Sequence, residues 1–227
     1  MKIKHIALIL KKRHSQAMTD QTNIRALSTL LTDIQAQITG QSITLKELVV
    51  AFHERGFGFL LFFFALPAAL PLPGLGINTI IALPLILLTA QQAMGRHTIW
   101  MPQKIANKSI SQKTVIGFTD KAAPWIKRLE FFIRPRLGFI TQGLFSNIIG
   151  VMGFIMAFAV AVPLPLTNTV PSLGIALMAI GVLMRDGLAV IIGALIGLLW
   201  VGMLLYFTLH FGIEGITITK DFIKSFL

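Results

Sequence analysis

An α-helical protein spanning a membrane several times is the fold class this sequence predicts, and three observations predict it. Of the 227 residues 55% are hydrophobic and only 13% charged, about half the charge that a soluble domain carries. The mean hydropathy is +0.78, more apolar surface than a water-soluble chain of this size can cover. The charges also avoid the apolar runs: Lys2, Lys4, Lys11, Lys12 and Arg13 lie in the N-terminal region, and a second basic block extends from Lys104 to Arg136. A net charge of +11 can mark a nucleic-acid binder, but no nucleic-acid motif surrounds these residues. Positive-inside topology and attraction to anionic lipid explain them better.

Residues 1–19 form a basic extension. The short apolar run His5–Leu10 has basic residues on both sides and no small-residue cleavage site after it, so it reads as a retained segment rather than a signal peptide. Residues 20–55 predict amphipathic surface helices. Ile24, Leu27, Leu31, Ile34 and Ile38 recur at helical spacing up to Gly40. Thr44 and Glu47 then read as a capping box opening a second helix, Leu45 to Arg55.

Residues 56–96 predict the first of two broken helical hairpins. The apolar run from Gly56 to Leu70 is too short to cross ~30 Å of hydrocarbon as a straight helix. Pro67, Pro71, Pro73 and Gly74 interrupt it before a second run starts at Ile77. Residues 97–145 predict a basic, amphipathic segment lying on the cytoplasmic membrane surface, with Trp100, Trp125, Phe131 and Phe132 at headgroup level.

Residues 146–186 repeat the hairpin pattern around Pro163 and Pro165. Superposing the two Pro-Leu-Pro stretches brings Asn78-Thr79 beside Asn168-Thr169, and Arg96 beside Arg185. This is a weak internal repeat, and Pro/Gly-broken segments in corresponding positions point to a transporter-like site. Residues 187–227 supply one full-length transmembrane helix, Leu188–Thr208, and an amphipathic tail. With Arg55, Arg96, the central block and Arg185 on the cytoplasmic side, both hairpins enter from the cytoplasm. Their tips then point outward and the C-terminus lies outside.

Several of these residues are found together in a known family. Leu48-Val49, Ala51-Phe52, Glu54-Arg55-Gly56, Gly58, Ala65-Leu66-Pro67 and Pro71-Leu72-Pro73-Gly74 resemble the ExoD family of bacterial exopolysaccharide-synthesis proteins. So do Leu83-Pro84-Leu85, Gln91, Gly95-Arg96, Trp100-Met101-Pro102, Arg134-Pro135-Arg136 and Arg185-Asp186-Gly187. The likeness departs from the usual pattern at Asn78, where Ser is expected, and at Thr167, where Gly is common. The resemblance implies a multi-pass protein of a bacterial inner membrane acting in exopolysaccharide production. It names a process and supplies no catalytic residue.

The candidate binding residues are Glu54, Arg55, Asn78, Thr79, Arg96, Asn168, Thr169, Arg185 and Asp186. Glu54-Arg55 can hold a phosphate through the planar guanidinium, or simply anchor the hairpin as an interfacial ion pair. Arg185-Asp186 joins two apolar segments, where ionisable groups are costly and functional by default, unless the turn lies at the membrane edge. The Asn-Thr pairs can cap the returning helices or offer an anion to their N-termini. Arg134 and Arg136 form the densest basic cluster and suit anionic lipid headgroups, or a solvated loop. Pro71, Pro73, Pro163 and Pro165 break the helices.

No metal ligands cluster, no catalytic triad or phosphate-binding loop occurs, and the chain has no cysteine. Neither enzyme activity nor a cofactor is expected. The expected partners are membrane lipids, a polyprenyl-phosphate carrier, polysaccharide assembly proteins and a second copy in a homo-oligomer; nucleic acid is not among them. Transport or handling of an anionic lipid carrier or ion is the leading function, and a non-catalytic accessory subunit of a synthesis or export complex the alternative.

Overall fold

The computed structural model describes residues 42–51, 55–70, 77–96, 98–117, 135–162 and 168–212, with Asp120, Pro124, Arg128 and Ile133 singly. The basic extension, the amphipathic helix expected at 20–40 and the tail from 213 lie outside these residues. So do both hairpin tips, with Pro71, Pro73, Pro163 and Pro165.

The described chain is helical. After a short strand β1 (Ser42–Thr44) come α1 (Leu45–Ala51), α2 (Gly56–Ala69), α3 (Ile77–Ala93) and α4 (Gln103–Ala106). Strand β2 (Ser109–Ser111), a 3-10 turn (Gly138–Thr141), α5 (Gly143–Ala161), α6 (Thr169–Met184) and α7 (Gly187–Phe211) follow. Two of these helices, Gly143–Ala161 and Gly187–His210, are long and apolar enough to cross a membrane. Large apolar side chains face outward along the bundle, among them Ile80, Phe158 and Leu199. Such a surface suits lipid better than water.

The helix ends follow local rules. Thr44 and Glu47 form the expected capping box: the Glu47 carboxylate accepts from the Thr44 N–H and hydroxyl, both at 2.8 Å, and the Glu47 N–H donates to Thr44 Oγ1 at 3.2 Å. Helices α2 and α5 stop alike. Leu70 (φ −70°, ψ 136°) and Val162 (φ −72°, ψ 120°) are both extended, as steric clash requires of a residue preceding proline. Helix α6 starts earlier than the apolar run suggested and includes Pro171, which a first helical turn tolerates because its N–H would have no partner there. The pairing of β1 with β2 is antiparallel, with Ile43 opposite Ile110. It is a small β element that the all-α expectation omitted.

The hairpins pack crosswise. Helix α2 lies chiefly on α6, α3 on α5, and α7 on α6; contact within each hairpin is much smaller. A Cβ on Gly58 would lie 2.8 Å from the Ala179 carbonyl oxygen, so the start of α2 meets the end of α6. Gly150, early in α5, abuts the Ala93 backbone at the end of α3, while Thr79 at the other end reaches Ala161. Both hairpin bases therefore share one side of the bundle, and both inner ends the other. Small residues let helix backbones approach closely. Between α6 and α7 this is provided by Gly174, Gly193 and Gly197.

Candidate functional site

Crosswise packing gathers the charged residues at the common base. Arg55 occupies the N-cap position of α2 and is 8% exposed. Its guanidinium is held below its ordinary pKa first by burial and then by the positive charge of Arg185. Arginine stays protonated regardless, so two fixed cations stand within electrostatic reach of each other.

Arg185 ends α6 in the left-handed conformation (φ 55°, ψ 36°), and the turn into α7 is completed by Asp186. The buried Asp186 carboxylate accepts from Leu188 N–H at 3.0 Å and Ala189 N–H at 3.4 Å. It is a helix cap whose negative charge complements the α7 N-terminus. The backbone carbonyl of Arg136 accepts from Gly187 N–H at 2.6 Å, which fixes the exposed Arg136 over the same turn.

The other expected residues divide. Thr79 donates its hydroxyl to the Ala161 carbonyl at 3.2 Å and so joins the hairpins near their inner ends. Asn168 occupies the N-cap position of α6, but its side chain makes no cap hydrogen bond. Thr169 follows, half-buried. Arg96 is exposed just beyond α3, with its N–H on the Gln91 carbonyl at 3.1 Å. It lies on the base side, but Arg55 is the residue brought against Arg185. Glu54, Arg134 and the Asn78 side chain lie outside the described residues.

The structure adds a buried polar seam at the ends of α3 and α5. Thr89, Gln91 and Gln92 are all buried. Gln92 donates to Ser146 Oγ at 3.3 Å, while its Oε1 is buried without a hydrogen-bond partner; Ser172 Oγ in α6 is likewise unpaired. Buried unpaired polar atoms are few in native folds and call for a reason. The signal was present in the sequence as two adjacent amides ending an otherwise apolar run. Among the described residues no group of three His, Asp or Glu side chains is placed to hold a metal.

Residues 27–206 match the family model described as "Exopolysaccharide synthesis, ExoD". Protein ExoD of Rhizobium meliloti is 33% identical over 171 residues, covering 73% of this chain and 70% of its own length. An uncharacterized protein of Synechocystis is 32% identical over 190 residues, covering 82% of this chain and 89% of its own length. No solved structure matches the chain.

Proposed function

The chain belongs to the ExoD family of exopolysaccharide synthesis, and from that premise we propose that it spans a bacterial inner membrane and handles an anionic lipid carrier or ion. One observation carries this reading. Arg55, mostly buried, and Arg185 stand together at the base where both hairpins meet. Bringing two guanidiniums together opposes Coulomb repulsion, and a phosphate or other anion bridging them would turn that cost into attraction through charge-assisted hydrogen bonds. Arg136, fixed over the same turn, extends the positive surface toward a headgroup.

The broken hairpins supply the second ingredient of a transport site, interrupted helices in two halves of one bundle. Asp186 serves here as a helix cap that holds Arg185 in place, and Thr79 as a link between the halves. The role proposed is binding and movement rather than catalysis.

The test is flux of anionic lipids and small anions in liposomes holding the purified protein. Flux that falls when Arg55 or Arg185 is replaced supports the reading. A folded protein that is silent in liposomes, while its absence from cells still lowers polysaccharide yield, favours an accessory subunit.

A further inference from the structure

We propose that the outer face of the first hairpin holds one anionic phospholipid, its acyl chain in an apolar groove and its phosphate on a lysine rim. The groove has a volume of about 420 Å³, inside the ~300–1,000 Å³ range of ligand sites. Phe59 and Phe63 of α2 and Leu87 of α3 line one wall, and Trp100, Ile105 and Val115 of the following segment line it as well. The Gln91 amide that reaches it is engaged by the Trp100 backbone, so the groove offers a ligand almost nothing polar. It suits hydrocarbon.

Its rim is different. Lys46, Lys104 and Lys113 are exposed and each adjoins a lining residue in sequence, namely Leu45, Ile105 and Thr114. Lys108, also exposed, lies between Ile105 and Ile110. The acidic Glu47 nearby is engaged by Thr44. An apolar slot built from short elements that also carry four exposed lysines, on the side of the bundle where the hairpin bases lie, matches a phospholipid with a negative headgroup.

The packing explains why the slot is open. In the second half, α7 covers α6 and, less extensively, α5. The crosswise relationship makes α3 and α2 their counterparts, and among the described residues the groove beside them is lined by α1, the short α4, β2 and residues 99–102, 114 and 115, with no long helix. A lipid chain completes the surface that a helix completes in the other half. This inference rests on the membrane reading and is independent of the role given to Arg55 and Arg185.

The test uses the full-length protein in liposomes with traces of phosphatidylglycerol or phosphatidylcholine, each carrying a photoactivatable diazirine on one acyl chain. Labelled peptides are then mapped by mass spectrometry. Phosphatidylglycerol should label 59–64, 84–88 and 99–115 above the phosphatidylcholine probe by about fivefold for each lysine engaged. Leu87→Trp fills the groove and should reduce that labelling severalfold; Phe63→Trp, in the same wall, should repeat the result if the first variant folds poorly. K104E with K113E should erase the preference for phosphatidylglycerol while chain labelling persists.

Equal labelling by the two probes, or labelling unchanged by the groove-filling variants, overturns the proposal. So does cross-linking of the groove to a second copy of the chain in place of lipid. Labelling without anion flux would leave the groove standing and remove the transport reading, and the converse result would do the reverse.

Discussion

The side-chain amide of Gln91 pairs with the backbone of Trp100 as a neighbouring strand would: Trp100 N–H donates to Gln91 Oε1 at 2.6 Å, and Gln91 Nε2 donates to the Trp100 carbonyl at 3.1 Å. This double bond pair folds the segment after α3 back onto the helix that precedes it.

Gln91→Leu therefore removes both bonds and leaves a part-buried N–H and C=O unpaired. A loss of about 1–3 kcal/mol is expected for such groups. Melting of the detergent-solubilised protein should fall, and a protease should cut near residues 97–102 faster than in the parent. Unchanged cleavage would show that these two bonds do not hold the return of the chain.

Gly150 and Gly202 give opposite expectations for the same substitution. A Cβ at Gly150 meets the Ala93 backbone, whereas nothing lies within 4 Å of one at Gly202. Gly150→Ala should destabilise by about 1–3 kcal/mol through overpacking. Gly202→Ala should stabilise the helix by about 0.5–1 kcal/mol. Thermal melts of the pair, measured in one detergent, check the sign of each.

Arg55 and Arg185 are tested by a conservative change. If they hold an anion together, Arg→Lys should impair flux nearly as much as Arg→Ala, because lysine lacks the planar fork. Loss of a charge-assisted hydrogen bond of about 1.5–3 kcal/mol corresponds to roughly ten- to hundredfold weaker binding. Flux should be compared at equal membrane abundance; full activity of both lysine variants removes the anion role.

Glu47 supplies a pH expectation. The Thr44 backbone N–H first, and its hydroxyl second, hold the carboxylate pKa below its ordinary value. A depressed acid stabilises the fold above its unfolded pKa, near ~4.3, and that contribution disappears as pH falls through the lower folded value. The protection of the Thr44 amide, its exchange rate compared with the intrinsic rate at the same pH, should fall on acidification across this window, and Glu47→Gln should flatten the response.

Topology can be read with single cysteines, since the native chain has none. Thr114 lies in the segment beside the hairpin bases and His210 at the far end of α7, both exposed. Cysteine at Thr114 should react with impermeant thiol reagents only from the cytoplasmic face, and cysteine at His210 only from the opposite one. Reaction from one face at both positions contradicts a membrane-crossing α7.

Much of the helical plan was legible because it depends on local chemistry. The ends of α2 and α5 were marked by Pro71 and Pro163, and the start of α1 by Thr44 and Glu47. The partnership of Arg55 with Arg185 was not legible. Repeat alignment makes Arg96 and Arg185 equivalent hairpin ends and does not say which residues meet, while crosswise packing sets the beginning of one hairpin against the end of the other. The β1–β2 pairing was equally hidden: three residues per strand are too few to show alternation, and their partners lie far apart in the chain. Gln91 and Gln92 are two amides closing an apolar run, but their bonding depends on chain returns that periodicity does not encode.

The crosswise contact of α2 with α6, and of α3 with α5, has a consequence for biosynthesis. While the first hairpin leaves the ribosome, the surfaces it will bury belong to residues not yet synthesised. It must wait with Gly58 and Ala93 unpartnered until 143–184 arrive, and a nascent chain stopped at residue 142 should be a substrate for quality-control proteolysis. Supplying the second half as a separate polypeptide would then rescue the first, because each half carries the surface that the other lacks.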